Sequence, residues 1–192
     1  MPKNKLKILA SILIVIAVVF IYNSTPPLSG QTYFERGEKS FKIGISTDVV
    51  DDSIFEDAID NYEKAIDKGI TKRAVFSNLV TSYLFFNRDD RNAKRTLNKA
   101  IEIYPNDAEF YFDRGNCEKE LKNYKKAFLD YDKCVKLGET KNEDYIKDAI
   151  YRRGAMRYLL GDFANAAKDL KLAQSKTDHE LRTYDDYCQL FK

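Results

Sequence analysis

The chain has 192 residues, 44% of them hydrophobic and 13% aromatic, which is enough apolar side chain to fill the core of one domain. Lys+Arg number 32 and Asp+Glu 30, with the signs interspersed, and this excludes the dense basic stripe of a nucleic-acid binder. The lone histidine, His179, excludes a histidine metal cluster or a histidine-based triad within one chain, and the three cysteines, Cys117, Cys134 and Cys188, form neither a C-x-x-C pair nor an even-numbered disulfide framework. They read as small core residues.

The N-terminus begins with a basic stub, residues 1–7, carrying Lys3, Lys5 and Lys7. An uncharged apolar run over residues 8–22 follows, then a linker over 23–29 in which Pro26-Pro27 stops any helix. This pattern is an export or anchoring signal. The lysines hold the stub in the cytoplasm, and no Lys or Arg follows until Arg36, so the remainder is expected on the far side of the membrane, N-in and C-out. The run is shorter than the roughly 20 residues that span a bilayer comfortably, which favours cleavage. The best cleavage site, Leu28-Ser29-Gly30 before Gln31, has a bulky Leu where a small residue is preferred, and Lys7 can snorkel while Leu6 extends the run, which favours a retained anchor. The expectation is one membrane helix with an extracytoplasmic domain; the alternative is a soluble periplasmic or secreted protein after cleavage. No cysteine follows the run, against a lipoprotein.

Internal repetition sets the fold. Residues 74–107 read AVFSNLVTSYLFFNRDDRNAKRTLNKAIEIYPND, and residues 108–139 continue AEFYFDRGNCEKELKNYKKAFLDYDKCVKLGE, so that Ala93 matches Ala127, Leu97 matches Tyr131 and Ala100 matches Cys134 at an offset of 34. A further unit carries Arg153-Gly154, Gly161-Asp162-Phe163, Ala166, Leu170 and Ala173 in the same order, and an earlier one pairs Tyr33-Phe34-Glu35-Arg36-Gly37 with Phe55, Ala58, Tyr62 and Ala65. Small residues let two helices approach, and the aromatic or Leu one turn later plugs the space beside them. Pro105 ends a helix, while Ser53-x-x-Glu56, Thr140-x-x-Glu143 and Thr177-x-x-Glu180 fit capping boxes.

Over residues 30–175 the sequence resembles the tetratricopeptide repeat (TPR) family. The resemblance implies an all-α, right-handed α-solenoid of about four helical hairpins, preceded by the N-terminal hydrophobic helix. The units are residues 30–73 with an inserted loop at 45–53, 74–107, 108–141 and 147–176, and a capping helix over 177–192 has Leu181, Tyr184, Cys188 and Phe191 on one face. It departs from the pattern at Thr81, where the other units have Gly, at the 45–53 insertion, and at the third unit's missing terminal Pro and longer joint.

The residue before the repeat glycine is Arg36, Arg114 or Arg153, at a place where the family usually has Leu. In an antiparallel pair it lies opposite Asn61, Asp130 or Asp169; in the second unit both charges vanish together, to Val80 and Thr96. An unpaired buried guanidinium is costly, so Arg114 is expected to bridge Asp130 and Arg153 to bridge Asp169 within their hairpins.

The resemblance also implies that the first helices line a concave groove, through Phe34, Glu38 and Phe41; Asn78, Ser82, Phe85 and Phe86; Phe112, Asn116 and Lys119; and Tyr151, Ala155 and Tyr158. This stripe suits an extended peptide or a partner helix, with no small-molecule substrate and no cofactor. TPR domains that grip chaperone C-termini use Lys and Arg beside Asn, whereas Phe34, Phe112 and Tyr151 stand here where the clamp lysine belongs, which disfavours that partner. No phosphate loop, nucleophile elbow or zinc spacing occurs, and the expected function is non-catalytic scaffolding. A remote alternative is an enzyme using Asp48, Asp51, Asp52, Glu56 and Asp57; the spacing does not fit a calcium loop, and helix capping explains acidic residues at a helix start more simply.

Overall fold

The computed structural model describes residues 12, 14, 15, 27–46, 52–138, 144–177 and 180–189, and among them the regular structure is entirely helical. The apolar run at 8–22 lies outside the described residues except for Ile12, Ile14 and Val15, which are helical and exposed. Among the described residues no helix is long and apolar enough to cross a membrane.

From residue 30 the helices alternate as hairpins: α1 (Gly30–Ser46) with α2 (Asp52–Asp67), α3 (Arg73–Ser82) with α4 (Asp90–Ile103), α5 (Ala108–Glu120) with α6 (Tyr124–Leu137), and α7 (Asp144–Leu159) with α8 (Phe163–Gln174). Each second helix also packs on the first helix of the next hairpin, and a short α9 (Tyr184–Gln189) packs on α7. Two apolar clusters result, one joining the first two hairpins with Phe110 and Cys117 of α5, the other joining the last two with Tyr184 and Cys188 of α9. All three cysteines are buried and free of disulfides.

The residue pattern explains the closest approaches. A Cβ on Gly37 would come within 2.8 Å of the Tyr62 ring, and one on Gly115 within 2.7 Å of Tyr131, so a large second-helix ring demands a glycine opposite it. In the second hairpin the plug is the smaller Leu97, and the position tolerates Thr81. The hairpin turns carry left-handed residues at three matching positions, Arg88 (φ 48°), Lys122 (φ 60°) and Gly161 (φ 84°), which reverse the chain in few residues. Asp89, Asp107 and Asp162 cap the helices that follow by accepting from the backbone N–H groups of Asn92, Glu109 and Asn165.

Four boundaries differ from expectation. α1 runs on through Ser46 and α2 starts at Asp52, ahead of the Ser53 box, so both helices extend into the proposed insertion. The fourth hairpin starts at Asp144 rather than 147, and residues 140–143 of its capping box lie outside the described residues. α3 widens into a π-helical turn over Tyr83–Asn87. The final helix starts at Tyr184 rather than 177: Thr183 Oγ1 accepts from the Asp186 N–H at 3.3 Å and donates to the Asp186 carboxylate at 2.7 Å, so a second T-x-x-D/E pattern six residues downstream is the one used. Phe191 lies outside the described residues.

Candidate functional site

The first helices α1, α3, α5 and α7 contribute one face, and side chains link it from end to end. Tyr62 donates to Glu38 Oε1 at 2.7 Å, and Asn78 of α3 donates to the same oxygen at 2.6 Å and to the Tyr62 hydroxyl at 3.2 Å. Burial and the Glu38 carboxylate both push the Tyr62 hydroxyl well above the ordinary tyrosine range, so it stays a donor. Arg73 of α3 reaches the carboxylates of Asp107, at 2.6 Å, and Glu109. Between α5 and α7, Arg152 lies 5.5 Å over the Phe112 ring and binds Asp148 at 3.0 Å, while Tyr145 packs against the same phenyl ring at 6.0 Å. Tyr131 donates to Asn116 Oδ1 at 2.8 Å. Lys72 stands 4.6 Å over the Phe34 ring. Two rings of this face, Phe34 and Phe112, therefore carry a cation above them, which favours a fixed ring orientation.

The expected groove residues divide into two sets. Phe34, Glu38, Phe41, Asn78, Phe112 and Asn116 are half-buried along this face, and Phe85, carried outward on the π turn, is 76% exposed. Phe85 is thus no core plug, whereas its neighbour Phe86 stacks on Phe55 and Phe41 meets Phe55 and Tyr62 edge-on. Ser82 is buried and donates to the Asn78 carbonyl, and Lys119 is buried and paired with Glu120 at 2.5 Å, so neither lines an open surface. Tyr151 and Ala155 are buried as well, and Tyr158 is half-buried, because α9 lies across them. Tyr151 donates to the Arg182 carbonyl at 3.0 Å and Tyr158 to Asp185 at 3.1 Å.

Arg114 grips Asp130 through two bonds of 2.6 and 2.9 Å, and Arg153 grips Asp169 at 2.7 and 3.1 Å. Arg36 is exposed, and Asn61 turns back to the Asp57 carbonyl. Each of these half-buried arginines also reaches the preceding hairpin, Arg114 to Asn98 at 3.0 Å and Arg153 to Asp132 at 3.1 Å. In the second hairpin, where Val80 replaces the arginine, the Tyr83 hydroxyl bonds the matching acceptor, Glu63, at 2.6 Å. Glu63, Asn98 and Asp132, each one residue beyond the second-helix plug, form an acceptor row that sequence reasoning missed; their shared register was the available signal, hidden by three different side chains. Arg157 adds a further bond to Asp169 at 2.7 Å.

Asp113, on α5 between Phe110 and Cys117, has its carboxyl pushed up to about 7, first by burial and then by Glu109 and Asp107, with Arg73 opposing. Of the acidic set behind the catalytic alternative, Asp48 and Asp51 lie outside the described residues, and Glu56 and Asp57 are exposed along α2. Among the described residues no group of His, Cys, Asp or Glu is arranged to hold a metal ion.

A tetratricopeptide repeat family model matches residues 96–128. No curated protein matches the sequence. Among solved structures, MamA is similar with a TM-score of 0.62 at 20% identity, covering 77% of this chain and 77% of that one. YrrB, described as a TPR protein with an unusual peptide-binding site, gives 0.61 at 21% identity over 78% of this chain and 70% of its own. The first TPR of Spaghetti (RPAP3), bound to the HSP90 peptide SRMEEVD, gives 0.54 at 22% identity over 69% of this chain and 94% of its own. The chain shares with these proteins an all-helical fold of stacked TPR-type hairpins.

Proposed function

We propose that the chain is a non-catalytic interaction scaffold whose first-helix face holds an extended peptide or a helix of a partner protein, in an extracytoplasmic compartment, with residues 8–22 as its membrane tether. The observation that carries this reading is the pair of half-buried rings Phe34 and Phe112 beneath Lys72 and Arg152, with Asn78 half-buried on α3 and Phe85 exposed on the π turn that ends it. Rigid rings offer contact area at low entropic cost, and the polar groups between them suit peptide backbone. Peptide binding by YrrB and by the first TPR of Spaghetti supports it by analogy of fold. The basic stub ahead of residues 8–22 supports the tether and its orientation.

Affinity capture with the full chain tests the reading. Wild type is expected to recover a defined partner, and Phe112→Ala and Phe85→Ala to lose about tenfold or more of it, the effect of removing a buried interface aromatic. Equal recovery by all three moves the binding surface off this face.

A further inference from the structure

The fourth hairpin differs from the others in what lies across its first helix. In the first and third hairpins the second-helix tyrosine fills the notch beside the repeat glycine, but here that residue is Leu170 and Tyr184 of α9 enters instead, its hydroxyl against Gly154. Earlier first helices pair within their own hairpin and also pack on the second helix of the hairpin before them, whereas α9 packs on α7. An open, largely apolar cleft remains between α8 and the segment leading into α9, lined by Ala167, Leu170 and Gln174 on one side and by Glu180 and Leu181 on the other, with the Leu181 N–H donating to Gln174 Oε1 at 2.8 Å.

The bonds α9 makes are those of a bound segment. Its chain offers a backbone carbonyl, at Arg182, to the Tyr151 hydroxyl and a carboxylate, at Asp185, to the Tyr158 hydroxyl. Tyr187 meets the Tyr151 ring edge-on at 5.0 Å, and Tyr184 lies 5.2 Å from the same ring. Tyr184 and Cys188 are buried in this contact, but the helix has little stability of its own. α9 has six residues, far below the roughly 12–15 at which isolated helices become stable, so its contacts alone hold it helical. Among the described residues its buried Tyr184 hydroxyl has no hydrogen-bond partner, a desolvation penalty that a phenyl ring would avoid.

We propose that α9 is a resident, displaceable ligand of the first-helix face, and that the partner is a short acidic-aromatic helix which takes its place on α7. This rests on the reading of that face as the binding surface and names the chemistry it accepts: an aromatic residue in the Gly154 notch, an acid beside Tyr158 and a second aromatic against Tyr151. A segment with Phe at the notch position binds better than α9 itself. The apparent affinity of such a partner is reduced by the fraction of time α9 is docked.

The test uses three full-length chains and one fluorescent peptide spanning residues 180–189 with Tyr184→Phe. The Asp185→Lys/Tyr187→Ala chain loosens α9 while leaving its core residues Tyr184 and Cys188 unchanged, and is expected to bind the peptide about tenfold more tightly than wild type. Tyr184→Phe in the chain tightens α9 and is expected to bind several-fold more weakly than wild type. Far-UV circular dichroism and melting of the three chains establish that all are folded. Equal affinity for all three, or no binding by the loosened chain, overturns the proposal. If that occurs while Phe112→Ala still abolishes partner capture, the face remains the binding surface and only the role of α9 is lost.

Discussion

Replacing Arg114 by Val is expected to destabilise the chain by about 3–5 kcal/mol, the usual cost of removing one member of a buried ion pair. The Asp130 side chain is 8% exposed and Arg114's is 23% exposed, so the carboxylate left behind has little access to water. Burial already pushes that carboxyl above its ordinary range in spite of the guanidinium beside it, which shows how much of its charge depends on Arg114. Adding Asp130→Thr is expected to bring stability back to within about 1 kcal/mol of wild type, because a buried pair replaced on both sides is often neutral. The second hairpin carries this exchange naturally, with Val80 and Thr96 both buried. Urea denaturation of the single and double variants measures the coupling. Additive losses in the double variant would mean that the two residues act independently.

A second, smaller effect concerns Asp113. Its carboxyl titrates near 7 in the folded chain against about 3.9 unfolded, so between those values the folded state holds a proton that the unfolded chain releases. The sign follows: this residue's contribution is neutral below pH 4, and stability is lost as pH rises toward 7. Three pH units at about 1.4 kcal/mol each give about 4 kcal/mol, and because the carboxyl keeps some contact with water roughly half of that is expected. Asp113→Asn is therefore expected to equal wild type at pH 4 and to exceed it by about 2 kcal/mol at pH 8. Denaturation at both values reads the difference, and a constant gap at the two pH values would remove the titration as its cause.

The arrangement of hairpins was legible because each closest approach constrains two residues at a fixed spacing. Gly37 with Tyr62 and Gly115 with Tyr131 each leave a mark in both helices, and the joint change to Val80 and Thr96 marked the partners of Arg114 and Arg153. What crosses between hairpins was less legible. The acceptor row of Glu63, Asn98 and Asp132 uses three residue types for one task, so no letter repeats. The last helix was misplaced because Thr177 and Thr183 head equivalent capping patterns, and local sequence does not decide which is used once tertiary contacts at Gly154 and Tyr151 select. For the same reason Tyr151 and Ala155 read as open groove: their burial comes from a segment some 30 residues onward. The π turn that exposes Phe85 likewise leaves no spacing signal, since the 34-residue register continues through it.

The central claim is that the partner lies along the first helices and not the second. Photo-crosslinking tests it most directly, with a photoreactive phenylalanine placed in turn at Phe85 and Phe112 on the first-helix face, and at Leu129 and Leu172, which are exposed on the second helices α6 and α8. Adducts with one partner protein are expected from Phe85 and Phe112 and not from Leu129 or Leu172. Adducts from Leu129 or Leu172 alone would contradict the account.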